Sequence, residues 1–180
     1  MTHRFFSLAL VLCAFVALLS TSARAGVSED MSAAQAAFAQ ANATKDPKHP
    51  GYAKAYGIWS RLAGDGDSQA KYHLGILHLY GLGGASFDHI QGYDLIKASA
   101  EGGYAQAQAY VGVMHEKGNG LHFRKGAEAA RGWYEKAAGA GNCYAVRRLA
   151  QAHASGELGL TADAAASDSY RAEQPSCFGQ

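Results

Sequence analysis

The sequence contains few residues that interrupt helices and few that carry charge. Three prolines occur among its 180 residues, and 17% of the residues are charged. The scarcity of proline favours helices, because proline breaks a helix interior. Lys and Arg number 16 against 15 Asp and Glu, for a net charge of +1. This balance argues against nucleic-acid binding and charge-driven membrane binding, since both need concentrated basic surface.

Sequence motifs of catalysis and cofactor binding are equally scarce. No G-x-x-x-x-G-K phosphate loop occurs. Ser68 and Lys71 match S-x-x-K, the nucleophile motif of penicillin-interacting enzymes, but no K-T-G accompanies them. Ser68 also lies where a helix start needs a capping hydroxyl. We therefore expect neither enzyme activity nor a cofactor. A hydrolase that interacts with β-lactams stays as an alternative.

The first 25 residues predict a cleavable signal peptide. Arg4 precedes an apolar run from Phe5 to Leu19, and the small residues around Ala25 suit a signal peptidase. A retained membrane anchor is disfavoured, because the run falls short of the roughly 20 residues that span a bilayer. Cys13 lies inside the run, which argues against a lipid anchor. We expect cleavage after Ala25 and a periplasmic or secreted mature chain without a membrane span.

Two cysteines remain after the predicted cleavage, Cys143 and Cys177. In an exported protein, an even number of cysteines indicates a disulfide. Closing the loop between them would stabilise the fold by roughly 3–4 kcal/mol on the chain-entropy account. The alternative is two unpaired, partly buried thiols.

The chain repeats itself every 37 to 38 residues. Ala70, Ala107 and Ala145 begin three segments that align without gaps over twelve positions. The other agreeing columns are Leu74/Val111/Leu149, Gly75/Gly112/Ala150, His78/His115/His153 and Gly81/Gly118/Gly156. Repeats of this length are typical of helical solenoids and similar arrays.

The sequence pattern of each unit predicts two helices. The first begins near Ser68, Ala105 or Asn142 and ends at a glycine. Asp88 and Asp163 are placed to cap the second helix, and that cap is missing or shifted in the middle unit.

The region before the repeats predicts one more helix pair. Ser32 resembles the start of a capping box that opens an alanine-rich helix to about Ala43. The segment 46–51, with two prolines, forms a break before the next helix. We expect one helical-repeat domain over residues 26–180. Its units are 29–66, 67–103, 104–141 and a partial fourth unit or cap over 142–174, with a tail over 175–180.

Glycines inside the first helices indicate close helix packing. A glycine in mid-helix costs about 1 kcal/mol relative to alanine, so Gly75 and Gly112 suggest that a neighbouring helix approaches closely. Short helices of this kind bury their apolar faces only by stacking. The pattern predicts an all-α solenoid in which each unit is stabilised by its neighbours.

The repeat resembles a known family. The pattern A-x-x-x-L-G-x-x-H/Y-x-x-G, a Gly-rich loop, then W-Y-x-K-A-A and a closing Gly is similar to the Sel-one-like (Sel1-like) repeat, a relative of the tetratricopeptide repeat. The agreement is best over residues 133–141, WYEKAAGAG, and covers about residues 52–156. The third unit departs from the pattern, with Ala150 in place of glycine. The resemblance implies a right-handed α-solenoid of stacked antiparallel helix pairs that binds other proteins, without catalysis.

In tetratricopeptide-like solenoids the first helices line a concave groove, and column matching predicts which residues face it here. The predicted groove residues are Tyr72, Ile76, Tyr80, Val113, Glu116, Lys117, Tyr144, Arg147 and Gln151. This surface changes from aromatic to charged, which suits an apolar peptide anchor with polar contacts beside it. The alternative is that the upstream helix covers Tyr72 and Ile76.

The three aligned histidines, His78, His115 and His153, suggest packing rather than a metal site. Zinc ligands converge at about 2 Å from the ion, whereas equivalent residues of stacked helices lie in a row with a spacing of about 8–10 Å. We predict no metal and an exported protein–protein interaction module. A purely structural envelope scaffold is the remaining alternative, and neither the partner nor the oligomeric state follows from the sequence.

Overall fold

The structure, a computed structural model, describes the backbone of residues 3–120 and 122–179 and the side chains of residues 24–120 and 122–179. This part of the chain forms α-helices and one short 3-10 helix, and it contains no strand. The helices are α1 His3–Thr44, α2 Pro50–Gly64, α3 Ser68–Tyr80, α4 His89–Glu101, α5 Ala105–Lys117, α6 Ala127–Gly139, α7 Cys143–Ser155, α8 Ala164–Glu173 and the 3-10 helix Pro175–Cys177. The predicted all-α fold is confirmed. No helix in the described residues is long and apolar enough to cross a membrane.

The helices stack in the order of the chain. Each helix packs mainly against the helix before it and the helix after it. The pairs are therefore α1–α2, α3–α4, α5–α6 and α7–α8; the first member of each pair is called an A helix and the second a B helix. Three apolar clusters of buried side chains follow one another along the stack. This one-dimensional packing is that of a solenoid.

The B-helix caps are those that the sequence predicts. The side chain of Asp88 accepts hydrogen bonds from two backbone N–H groups of α4, and Asp163 accepts one from α8. Helix α6 begins after Gly126 without a side-chain cap. The middle unit therefore lacks a side-chain cap on its second helix.

Ser68 does not cap α3, contrary to the sequence-based expectation. The cap is the preceding residue, Asp67, whose carboxylate accepts a hydrogen bond of 2.7 Å from the N–H of Ala70. The Ser68 hydroxyl instead donates to the carbonyl of Gly102 at 3.3 Å. Ser68 thus ties α3 to the C-terminal end of α4.

The capping box expected at Ser32 is also wrong. Helix α1 runs unbroken through this position to Thr44, and the Ser32 hydroxyl donates to the carbonyl of Ser28 within the helix. The predicted break is confirmed, since the next helix begins at Pro50. The predicted signal peptide, residues 1–25, lies for the most part outside the residues whose side chains are described.

Close packing explains the mid-helix glycines. A Cβ atom on Gly75 would lie 2.7 Å from the carbonyl oxygen of Gly92 in α4. A Cβ on Gly112 would lie 2.7 Å from the ring of Tyr134 in α6. In both pairs the missing side chain lets the B helix approach, and in the last pair Ala150 is buried at the same position.

The C-terminal tail is fastened to α7. Cys143, the first residue of α7, forms a disulfide with Cys177, which is buried. Arg147, one turn along α7, donates a hydrogen bond of 2.7 Å to the carbonyl oxygen of Cys177. The tail therefore lies against the last A helix.

Candidate functional site

The helices α3, α5 and α7 have 13 residues each, so their residues can be numbered 1 to 13 from the first residue of the helix. The surface formed by these three helices side by side is called the A row. Its predicted site residues lie at position 2 (Tyr144), position 5 (Tyr72, Arg147), position 9 (Ile76, Val113, Gln151), position 12 (Glu116) and position 13 (Tyr80, Lys117).

Position 5 points towards the following helix pair. The Tyr72 ring lies 5.5 Å from that of Tyr104 and 6.2 Å from that of Tyr110, centroid to centroid. Both partners belong to the next unit, and neither lies in the upstream helix. Tyr72 is half-buried as a result, and Ala109, at the same position in α5, is buried. Contacts between units therefore partly cover the side chains at position 5, where the sequence predicts an open groove.

Four tyrosines form a cluster where α3 meets the next unit. The tyrosine cluster comprises Tyr72, Tyr80, Tyr104 and Tyr110. Burial raises the pKa of Tyr72, Tyr104 and Tyr110, and for Tyr110 the neighbouring tyrosines add to burial and bring the pKa to about 12. Tyr80, at the end of α3, is 66% exposed. The cluster therefore combines three half-buried tyrosines with the exposed side chain of Tyr80.

Glu116 links α5 to α6 and α7. Arg148 of α7 donates to Glu116 at 2.6 Å, and the Tyr134 hydroxyl of α6 donates to it at 2.7 Å. The bond from Arg148 is the largest cause that lowers the pKa of Glu116. Arg148 also pairs with Glu157 at 2.7 Å. The charge of Glu116 is therefore balanced within the protein, and its contact with a partner stays a prediction.

The remaining predicted residues divide by exposure. Ile76 and Val113 are half-buried and pack against the apolar clusters between units. Lys117, Tyr144 and Gln151 are exposed, Tyr144 by 48%. Together with Tyr80 and Arg147, the exposed residues give the A row both aromatic and cationic side chains.

The aligned histidines organise the loops between A and B helices. Nδ1 of His78 lies 3.1 Å from the carbonyl oxygen of Ser86, and Nδ1 of His115 lies 3.0 Å from that of Arg124. A carbonyl oxygen only accepts, so both rings donate from Nδ1. His153 packs against an aromatic ring of α8. Among the described side chains, no group of three or more potential ligands could hold a metal ion.

Sequence reasoning missed three residues around the A row: His73, Tyr104 and Tyr110. His73 stacks on Trp59 of the preceding pair, with ring centroids 4.5 Å apart. His73 and Tyr110 share position 6, which faces the preceding unit, and Tyr104 lies just before α5. The signal in the sequence is that Tyr104 and Tyr110 of one unit follow Tyr72 of the unit before. Stacking of adjacent units brings these rings together.

Comparison with known proteins relates this arrangement to solved structures. The sequence matches no protein-family model, and no curated protein matches it at a significant level. The Sel1 repeat protein from Oxalobacter formigenes is 28% identical and superposes with a TM-score of 0.61, over 68% of this chain and 88% of that chain.

The second solved structure is c5321, described as a protective antigen present in uropathogenic Escherichia coli strains displaying an SLR fold. It is 29% identical, with a TM-score of 0.54, over 68% of this chain and 26% of that chain. The present chain therefore spans about a quarter of the length of this second protein.

Proposed function

Because this chain belongs to the Sel1-like repeat family, we propose that it is an exported protein–protein interaction module whose A row binds a segment of another protein. Stacked helix pairs create extended binding surfaces, and the A row is the surface that we expect to be concave. No covalent chemistry is involved. The partner segment lies against side chains of α3, α5 and α7.

The observation that carries this proposal is the exposed aromatic surface of the A row. Tyr80 is 66% exposed and adjoins the half-buried rings of the tyrosine cluster, while Tyr144 is 48% exposed on α7. Tyrosine is enriched at binding hot spots, since its ring buries much area and its hydroxyl finds a polar partner. Exposed tyrosine rings beside half-buried ones form a surface that is suited to a protein partner.

Export is supported by the packing of α1 and by the disulfide. The buried side chains described in α1 begin at Met31, so cleavage after Ala25 would remove none of them. The Cys143–Cys177 bond would persist in an oxidising compartment such as the periplasm. The β-lactam alternative gains no support from Ser68, whose hydroxyl is engaged by the carbonyl of Gly102.

Site-specific cross-linking tests the proposed face. A photoreactive phenylalanine analogue replaces Tyr80 or Tyr144 in the producing cell. Phe87, which is 68% exposed on the loop between α3 and α4, is the matched control position. We expect the same partner to be cross-linked from Tyr80 and Tyr144 but not from Phe87.

Affinity for the cross-linked partner is then measured with Tyr80→Ala combined with Tyr144→Ala. Each ring contributes on the order of 1–2 kcal/mol at a hot spot, so we expect affinity to fall at least tenfold, while Phe87→Ala leaves it unchanged. Both tyrosines are exposed, so folding should stay intact. Unchanged affinity of the double variant, or cross-linking from Phe87 alone, contradicts the proposal.

A further inference from the structure

The near-neutral charge of the chain conceals an unequal distribution of charge between the A and B helices of the three pairs from α3 to α8. The A helices α3, α5 and α7 carry four bases and one acid, a net charge of +3 with histidine neutral. These residues are Lys71, Lys117, Arg147, Arg148 and Glu116. The B helices α4, α6 and α8 carry six acids and four bases, a net charge of −2. Within the three pairs from α3 to α8, the A helices are therefore more basic than the B helices.

The one acid of these A helices does not neutralise the surface cations. Glu116 pairs with Arg148, which pairs in turn with Glu157. Within the described residues, neither Lys117 nor Arg147 makes an ion pair. The carbonyl of Cys177 holds the Arg147 guanidinium in place without cancelling its charge. Two exposed, uncompensated cations thus remain on the A row.

Their positions continue the row of tyrosines. Lys117 ends α5 where Tyr80 ends α3, and Arg147 occupies in α7 the position of Tyr72 in α3. From α3 to α7 the surface therefore changes from aromatic to cationic. The hydroxyls of Tyr72, Tyr104 and Tyr110 add no opposing charge, since burial raises the pKa of each of them.

We propose that the partner segment is acidic: an apolar or aromatic anchor contacts the tyrosine cluster, and carboxylates of the same segment pair with Lys117 and Arg147. This inference rests on the proposed function, because it specifies the partner of the same face. Cations fixed at a binding surface select complementary charge and speed association. A neutral or basic segment would leave both cations unpaired or repelled.

Selection of peptides tests the chemistry of the partner. A random dodecapeptide display library is selected on the purified protein with its disulfide formed, and on a bait carrying Lys117→Gln and Arg147→Gln. A matched bait carries Lys54→Gln and Lys97→Gln, two exposed lysines of B helices. We expect Asp and Glu to be enriched together with an apolar residue on the wild-type and matched baits, but not on the Lys117/Arg147 bait.

The selected peptide is then titrated by fluorescence anisotropy between 50 and 500 mM NaCl. We expect Lys117→Gln with Arg147→Gln to weaken binding at least tenfold and to flatten the salt dependence, because surface ion pairs are screened by salt. The matched lysine variant should change binding less than twofold. Tyr80→Ala should weaken binding without altering the salt dependence.

The outcomes separate this inference from the function on which it rests. If the selection enriches apolar peptides without Asp or Glu, and Tyr80→Ala abolishes their binding, the proposed binding face holds but the acidic partner is overturned. Peptides insensitive to Tyr80, Lys117 and Arg147 would overturn both, as would a selection that enriches nothing. The selection could also enrich no peptide while the protein binds phosphatidylglycerol vesicles through Lys117 and Arg147. In that case the two cations bind a membrane surface, and the inference is overturned.

Discussion

At the scale of single residues, His73 is a histidine whose pKa is strongly shifted by its position between two helix pairs. Its ring stacks on the buried Trp59, and its Nε2 atom has no hydrogen-bond partner among the described residues. Burial lowers its pKa to about 4, and Asp67 opposes this shift only in part. The folded state thus favours the neutral ring. The stability that this provides is complete above pH 6.5 and is lost as pH falls from 6.5 towards 4.

His73→Phe should remove this pH dependence. A phenylalanine keeps a ring against Trp59 and has no proton to bind. His73 is partly exposed, so we discount the full shift for solvent and expect about 1–2 kcal/mol. Between pH 7 and pH 4.5 the free energy of unfolding of the wild type should fall by that amount more than that of the variant. Urea denaturation at both pH values measures it, and parallel losses in both proteins would refute the explanation.

Residue roles on the A row were only partly predictable from the sequence. Column matching identified Tyr80, Lys117 and Tyr144, and all three are exposed. It did not reveal the ion pair of Glu116 with Arg148, which lies 32 residues away. Alignment of repeats shows which positions are equivalent. It does not show which of them meets the next unit, because that depends on the rotation of each helix in the stack.

At the scale of helices, Gly75 decides how closely α3 and α4 pack. Alanine has the higher helix propensity by about 1 kcal/mol, which alone would make Gly75→Ala stabilising. The new Cβ atom, however, would lie 2.7 Å from a backbone oxygen of α4, which cannot rotate away. The helices would have to separate, and overpacking of this kind costs about 1–3 kcal/mol.

Gly75→Ala is therefore expected to destabilise the protein by about 1 kcal/mol, the cost of overpacking less the gain in helix propensity. Gly57 provides the matched control, because it also lies inside a helix, α2, but a Cβ atom added there would meet no atom of another element within 4 Å. Gly57→Ala should stabilise the protein by about 0.5–1 kcal/mol. Chemical denaturation of the two variants compares them directly, and equal signs of the two changes would show that close approach is not the reason for glycine at position 75.

The helices themselves were largely predictable, since their signals are local. The glycines that end α3 and α7, and the Asp88 and Asp163 caps, lie within one turn of the groups that they satisfy. Ser32 carried the same local signal and was misleading. Its hydroxyl satisfies a carbonyl within the helix instead, because nothing at that point interrupts α1.

At the scale of the whole molecule, the C-terminal tail that follows α8 packs back against α7. Arg147 contacts the tail from position 5, the position through which Tyr72 contacts the following unit. Cys177 and Phe178 pack with the last apolar cluster. The disulfide therefore holds the short tail as a local cap on α7, where a following unit contacts α3.

Removing the disulfide should loosen α7 and α8 before the rest of the protein. Cys143→Ser combined with Cys177→Ser should lower the free energy of unfolding by about 3–4 kcal/mol, since the bond closes a loop of more than 30 residues. In a solenoid each unit depends on its neighbours, so the loss should appear locally. Hydrogen exchange should accelerate in α7 and α8 and stay unchanged in α2.

Reduction of the wild-type protein provides the control. Dithiothreitol should reproduce the exchange pattern of the double serine variant, and it should have no effect on that variant, which has no disulfide between α7 and the tail. Uniform acceleration along the chain would mean that the protein unfolds as one unit and that the tail is no local cap. Unchanged exchange in α7 would mean that Arg147 and the apolar contacts of Phe178 hold the tail without the covalent bond.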